Sequence, residues 1–288
     1  MSTAPPPADR RFLRAAAGVA HDSLRGRIEG HRYVSGDWHR IAVPLADLRA
    51  SPDGPRDRQL LHGARFCALT RADAHVFGFA GDDGYCGWLH AGALGPDHPV
   101  THWVAALSSH LYPEPGIKLA ETGPLPMLAR LQVTGRQGGM AETPLGFVPQ
   151  PHLRALDDRP ADPVAVARQF LGVPYLWGGN GSGGIDCSGL VQAALWACGL
   201  ACPADSDLQR AMPGDDVTPG GEVPGDLIFW TGHVAMVSAP GRIIHANAHH
   251  MAVAEEPLAQ AEDRIAAAGH PVLRRLRPAA LPYQSPCE

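Results

Sequence analysis

The sequence predicts an α+β protein in which small β-units come first and a mixed helix-and-sheet domain follows. Three observations carry this. Before residue 160 the apolar segments are short, alternate with polar residues and are separated by Gly, Pro and Asp, the pattern of strands and turns. Residues 190–198 (LVQAALWAC) place Leu190, Val191, Ala194, Leu195 and Cys198 on one face at helical spacing, with Gly199 as a stop. Residues 225–248 (GDLIFWTGHVAMVSAPGRIIHANA) read as three short strands turned at Gly232 and at Pro240-Gly241.

Taken in chain order, residues 2–10 form a Pro-rich stretch expected to be a disordered tail, and a helix is expected from Arg11 onward. The apolar run Ala15–Ala20 is too short for a signal-peptide core or a membrane span, so secretion is not expected. An internal repeat follows. Leu45–Gly54 (LADLRASPDG) is similar to Leu107–Gly116 (LSSHLYPEPG), and Gly87-Trp88-Leu89 followed by Leu94 is similar to Gly146-Phe147-Val148 followed by Leu153. The expected organisation is therefore a tail and helix over 1–40, two β-units over 41–98 and 99–157, and a final domain over 158–288.

Within that final domain, Gly178–Gly189 (GGNGSGGIDCSG) puts Cys187 just past a glycine-rich turn and at the head of the helix. Unpaired N–H donors and partial positive charge at a helix N-terminus favour a thiolate and are suited to hold an oxyanion. A buried core cysteine is the plain alternative. Downstream, strand alternation puts His233, Ala235 and Val237 on one face and Ile243, His245 and Asn247 on one face of the next strand, so antiparallel pairing makes the two histidines neighbours. A thiol, an imidazole to take its proton and a polar group to orient that imidazole are what a cysteine hydrolase requires.

Several motifs occur here in one order: Pro174-Tyr175-Leu176-Trp177-Gly178-Gly179, Asp186-Cys187-Ser188-Gly189-Leu190-Val191, Gly225-Asp226-Leu227-Ile228-Phe229-Trp230, His233-Val234-Ala235-Met236-Val237 and Ile244-His245-Ala246. The chain in this region resembles the NlpC/p60 family of cysteine peptidases, which implies a papain-like fold from residue 160 to about 278. The resemblance implies that Cys187 attacks an amide carbonyl, His233 shuttles the proton, His245 orients His233 and the Tyr175 hydroxyl points at the nucleophile or the developing oxyanion. Tyr175 and Trp177 as mere pocket wall is the other reading.

Ser188, Asp205 and Ser206 resemble positions of the subgroup that cleaves between a side-chain-linked D-glutamate and a diamino acid, with the serine helping to hold the glutamate carboxylate. Asp205-Ser206 also reads as a helix cap for Asp207–Met212. In that subgroup Asp186 faces the free amino end of the substrate. Asp226 reads instead as a turn residue bonded to local backbone.

The two β-units resemble, more weakly, tandem bacterial SH3-like barrels, the first of which covers one end of the active-site groove in the subgroup. Such a wall admits peptides with a free amino terminus. Tyr85, in Asp82-Asp83-Gly84-Tyr85, is the candidate group on it, the alternative being a solvated hairpin loop. Ala64 stands where the subgroup has an acid, so the ammonium would have to pair with Asp186, Asp82 or Asp83, because a buried charge requires a partner.

A net charge of −5 and no basic run longer than Arg274-Arg275 disfavour nucleic acid and anionic membrane as partners. The 6 cysteines, without a signal peptide, are expected to be reduced thiols. Cys198 and Cys202 lack a second metal-ligand pair at zinc spacing, so no metal and no cofactor is expected. His249-His250 reads as a solvated loop, Glu255–Gly269 as a helix with an acidic first turn, and Val272-Leu273 as a closing strand.

The expected function is hydrolysis of the γ-D-glutamyl-diamino acid bond in murein peptides with a free L-alanine, in cytoplasmic cell-wall peptide recycling. Two alternatives stand beside it. One is an amidase or acyltransferase on another γ-glutamyl amide, and the other is a wall-peptide binding module with a vestigial peptidase.

Overall fold

The computed structural model describes residues 9–283. The chain divides into two compact units that meet between Leu153 and Arg154. The Pro-rich tail lies outside the described residues up to Ala8. The helix expected from Arg11 is not formed. A 3₁₀ turn, Arg10–Phe12, leads instead into short strands at Ala15–Ala16, Val19–His21 and Arg32–Val34. Ala17 and Gly18 take left-handed backbone at φ 48° and 73° and close a two-residue hairpin through which no helix can continue.

The first unit then builds a seven-stranded antiparallel sheet from β1 (Asp37–Ile41), β2 (Leu45–Arg49), β3 (Arg56–Leu61), β4 (Arg65–Ala72), β5 (His75–Ala80), β6 (Cys86–His90) and β7 (Leu94–Pro96). Their spatial order is β7-β1-β4-β5-β6-β2-β3. Alternation along β4, β5 and β6 sends Cys67, Leu69, Phe77, Phe79, Cys86 and Trp88 to one face, where they form a buried cluster.

Residues 102–155 repeat this order on a smaller scale. A short 3₁₀ turn, Ala91–Ala93, carries β6 into β7, which pairs back on β1. In the same way a 3₁₀ turn, Gln150–His152, carries Gly146–Pro149 into Leu153–Ala155, which lies beside His102–Val104. Val104, Leu125, Ala129, Leu131 and Val148 form the core of this segment.

The β3–β4 hairpin meets that second segment closely. Gly63 sits at φ 77°, and a Cβ there would lie 2.1 Å from the carbonyl oxygen of Arg130. Backbone cannot yield as a flexible side chain can. Gly63→Ala is therefore expected to lower stability by about 2–4 kcal/mol, read as a shift of the urea midpoint at unchanged m-value. A midpoint within experimental error of wild type would mean that the close approach is not maintained in solution.

The second unit begins with α1 (Pro163–Arg168), capped by the Asp162 carboxylate, which accepts from the N–H groups of Val164 at 2.8 Å and Ala165 at 3.2 Å. It continues with α2 (Cys187–Ala197) and α3 (Ser206–Arg210). α2 ends at Gly199, φ 74°, as its sequence indicates. Its burial exceeds the single expected face: every residue of α2 except Trp196 is buried, because the helix is internal to the unit.

A six-stranded antiparallel sheet completes the unit: β8 (Gly214–Asp216), β9 (Leu227–Trp230), β10 (His233–Ala239), β11 (Arg242–Asn247), β12 (Ala252–Pro257) and β13 (Arg274–Pro278), in the order β8-β13-β9-β10-β11-β12. The turns fall at Gly232 and Gly241, both at φ 69°. One face, with Ile228, Trp230, Ala235, Val237 and Ile243, packs on Leu258, Ala261 and Ile265 of α4 (Leu258–Ala267). α2 packs against β10 and β11.

Two expected boundaries move. Glu255 and Glu256 belong to β12 and not to the helix, which starts after Pro257 because a residue preceding proline is held in extended backbone. The closing strand is β13, immediately after Val272-Leu273. Among the described residues no helix is long and apolar enough to cross a membrane.

Candidate active site

The glycine-rich turn and α2 hold the cysteine in place together. A small hairpin, Asn180–Gly181 with Gly184–Ile185, precedes Asp186, which is the N-cap of α2. The Asp186 carboxylate accepts from the N–H of Gly189 at 2.7 Å, the Ser188 hydroxyl at 3.0 Å and the N–H of Gly178 at 2.9 Å. It thereby ties the turn to the first turn of the helix. Gly189 is obligatory for this closeness, since a Cβ there would sit 2.7 Å from the Gly179 carbonyl oxygen.

Cys187 is 6% exposed at the head of α2. The N–H groups of Val234, Ser188 and Cys187 itself act on its sulfur, so the thiol lies beside the start of β10, one residue from His233. The helix terminus does not make it a resting thiolate, contrary to the sequence expectation. Burial pushes the thiol up to about 12, the Asp186 carboxylate adds to this, and the three N–H groups only partly oppose it.

The two histidines are neighbours, as strand alternation requires. The register Met236↔Ile244 and Val237↔Ile243 sets His233 diagonal to His245, and His233 Nε2 lies 2.8 Å from His245 Nδ1. The chain of contacts then runs on. His245 Nε2 lies 2.7 Å from Glu256 Oε1, and Glu256 receives two N–H groups of Arg264, Nη1 to Oε2 at 2.7 Å and Nη2 to Oε1 at 2.6 Å. Burial holds both imidazoles below the ordinary histidine range, His233 at about 3 and His245 at about 4. Glu256 resists the upward push of burial and is held at about 2 by hydrogen bonds from Arg264 and His245.

Glu256 and Arg264 are not evident as site residues from sequence, where Glu255-Glu256 reads as the first turn of the helix. The signal was present: Glu256 precedes Pro257, and extended backbone from Ala252 puts Ala252, Ala254 and Glu256 on one face of a strand.

Tyr175 is half-buried and close enough that the charges of Cys187 and Asp186 act on it. Its main chain is fixed by the N–H bond to Met251 O at 2.9 Å and a bridge to Ile185. Burial first, then those two neighbours, raise the phenol to about 12, so it is a hydrogen-bond donor at neutral pH. Trp177 is 68% exposed.

Ser188 is buried and its hydroxyl is spent on Asp186. Asp205 is the N-cap residue of α3, but its side chain makes no capping bond, and Ser206 opens the helix. A residue the sequence reading passed over, Gln209, binds this loop to the nucleophile turn. It is fully buried, and its Nε2 donates to Ser188 O and Pro203 O, each at 2.9 Å. Asp226 behaves as expected, accepting from the N–H of Val223 at 2.8 Å, and it also pairs with Arg277.

Tyr85 belongs to the first unit and is 2% exposed, which corrects the solvated-loop alternative. Its ring lies 6.3 Å from Phe12 in an edge contact and 5.4 Å from the Arg58 guanidinium. Asp82 pairs with Arg130 at 2.7 Å and Asp83 pairs with Arg58, so both carboxylates are already neutralised within their own unit. Ala64 is buried at 6% exposure.

Among the described residues, His245, His250 and Glu256 offer ligand atoms within 4.8 Å of one another. The set does not suit a cation, because Glu256 is already engaged by Arg264, whose positive charge would face the ion.

Residues 172–265 match the NlpC/P60 family, and residues 48–94 match the bacterial dipeptidyl-peptidase Sh3 domain. The chain thus carries an NlpC/P60 domain after a bacterial dipeptidyl-peptidase SH3 domain. Dipeptidyl-peptidase 6 of Lysinibacillus sphaericus is 34% identical over 84 residues, 29% of this chain and 31% of that protein. Gamma-D-glutamyl-L-lysine dipeptidyl-peptidase of Bacillus cereus is 34% identical over 93 residues, 30% of this chain and 28% of that protein. The matched stretch therefore spans about a third or less of these relatives. The crystal structure of an NlpC/P60 family protein from Bacillus cereus superposes with a TM-score of 0.72 at 21% identity, over 85% of this chain and all of that one, which shows the shared fold. In the NlpC/P60 domain of the present chain, the thiol, the two imidazoles and Tyr175 all fall within or beside the matched residues.

Proposed function

We propose that this protein is a cysteine peptidase that hydrolyses the γ-D-glutamyl-diamino acid bond of murein peptides bearing a free N-terminal L-alanine. The observation that carries this reading is the chain of contacts from His233 to His245 beside a buried thiol at a helix N-terminus. The name of the relative from Bacillus cereus supports a γ-D-glutamyl-diamino acid bond, and both names support release of a dipeptide.

In this mechanism the resting thiol and imidazole are both neutral. As the γ-carbonyl of D-glutamate meets the sulfur, the S–H proton passes to His233 Nδ1 while the S–C bond forms. The N–H groups at the head of α2 and the Tyr175 hydroxyl receive the oxyanion. His233 returns the proton to the amine of the departing diamino acid, leaving a thioester. Water then attacks, with His233 as base, to release the dipeptide with its free γ-carboxylate. Asp186 organises the turn as a cap and is also the carboxylate assigned to the ammonium of L-alanine. Asp205, Ser206 and Trp177 are assigned to the remainder of substrate binding, while the Ser188 hydroxyl donates to Asp186 and supports the turn.

The same reading includes a four-part organisation: tail 1–40, first SH3-like barrel 41–98, second barrel 99–157 and peptidase 158–288. The common order of strand, 3₁₀ turn and returning strand in both N-terminal segments supports a second barrel. A substrate with a free amine is a wall fragment and not intact wall, which fits recycling in the cytoplasm.

The test is mass spectrometry of L-Ala-γ-D-Glu-diaminopimelate incubated with the protein, beside its N-acetylated form. Cleavage of the free peptide alone is the expected result. Equal cleavage of both forms would remove the amino-terminal requirement and point to intact wall. Cleavage of neither would favour another γ-glutamyl amide or a binding role.

A further inference from the structure

The contacts beyond His245 have a direction. An ionised carboxylate only accepts hydrogen bonds, so the 2.7 Å contact between His245 Nε2 and Glu256 Oε1 requires the hydrogen on His245 Nε2. A neutral His245 then presents a lone pair at Nδ1, and the 2.8 Å contact there requires the hydrogen on His233 Nε2. His233 Nδ1 is left with the lone pair that a base must have. If the hydrogen of His245 sat on Nδ1 instead, His233 Nε2 would have to accept it and His233 Nδ1 would carry a hydrogen, unable to take the proton of a thiol.

We infer that Glu256 is a positioning residue that sets the direction of the hydrogen bonds through His245 to His233, so that the lone pair of His233 falls on Nδ1, and that Arg264 holds its carboxylate in that role. This rests on the reading of Cys187 and His233 as nucleophile and base. The geometry supports it from both sides. Glu256 is 6% exposed on β12 and shares a face with His245 on the adjacent β11, where the register pairs Ile243↔Glu256 and His245↔Ala254. Arg264, on α4, spans both carboxylate oxygens from the other side.

Arg264 also decides which substitution is informative. Its Nη2 and His245 Nε2 share Oε1 while its Nη1 takes Oε2, so a glutamine that keeps its oxygen at the shared position preserves the direction of the contacts. Glu256→Leu removes the acceptor altogether. His245 Nε2 then faces only the donors of Arg264, which favours a lone pair there and moves the hydrogens of His245 and His233 toward Nδ1 in a side chain of nearly the same size.

The experiment reads tautomers directly by ¹⁵N NMR of histidine-labelled protein, together with kcat and KM on the free tripeptide, for wild type, Glu256→Leu and Glu256→Asp. The expected wild-type spectrum has hydrogen on Nε2 of both His233 and His245. The expected Glu256→Leu spectrum has both rings shifted toward hydrogen on Nδ1, with kcat lowered by about 10²-fold or more and KM unchanged. Glu256→Asp is expected to keep the wild-type tautomers and most of kcat, which a purely structural glutamate would not predict. A wild-type spectrum with hydrogen on Nδ1 of His245 overturns the inference without any variant. So does a folded Glu256→Leu that keeps the wild-type tautomers or the wild-type kcat. The spectra need no substrate, so failure to cleave the peptide would count against the proposed function while the tautomers still decide this inference.

Discussion

Cys187→Ala is expected to lower kcat/KM on the free tripeptide by at least about 10⁴-fold, leaving only what binding and the oxyanion donors provide. The argument is chemical before it is geometric. Removing the sulfur removes the atom to which the acyl group is transferred, and no other group of the site can take its place, because Ser188 is bound to Asp186 and Tyr175 is held protonated. Folding should survive: the substitution truncates a small side chain at the end of α2, and the Asp186 cap does not involve the sulfur. A melting temperature near that of wild type, with no cleavage detectable by mass spectrometry, is the expected pair of results. A variant that retains a tenth of the activity would sink the covalent mechanism.

The second large effect is a loss of stability in mild acid. His245 has a fully buried side chain and its value falls from 6.5 to about 4, so the folded state favours the neutral ring. Its contribution is complete above about 6.5 and is lost as pH falls toward 4, on the order of 3 kcal/mol for a shift of that size. Glu256 acts in a separate and lower window. Its contribution is present above 4.5 and disappears as pH falls through about 2. His233, held at about 3 by burial, loses its contribution over the same range as His245, so urea unfolding at pH 7, 5 and 4 is expected to show the midpoint dropping, and a His245→Asn variant should make that drop smaller without abolishing it. The same slope in both proteins would assign the acid sensitivity to other groups.

Much of the site could be read from one dimension because its chemistry is local or periodic. Cys187 is placed by a turn and a helix start within a dozen residues. His233 and His245 are placed by alternation along two strands joined by Pro240-Gly241, so their proximity follows from period two and a hairpin. Helix α2 and the turn glycines follow from spacing in the same way. Glu256 was legible in principle, through the proline after it, but the acidic pair preceding an amphipathic run read more readily as a first helical turn.

Other features depended on contacts between distant residues. Gln209 reaches back to Ser188 across the chain, Arg264 on α4 meets Glu256 on β12, and Arg130 meets Asp82 and the Gly63 hairpin. No pattern of spacing announces such pairs. The thiol is the clearest case. By sequence alone Cys187 belongs at a helix N-terminus, which lowers a thiol's pKa, and that placement is correct. Its ionisation, however, is decided by how much water the surrounding chain excludes, and here burial outweighs the helix donors. The sequence by itself determined which groups stand next to one another along helix and strand, because backbone periodicity is local. The tertiary structure alone decided their charge states and outer partners, because desolvation and long-range pairing depend on what the rest of the chain packs around them.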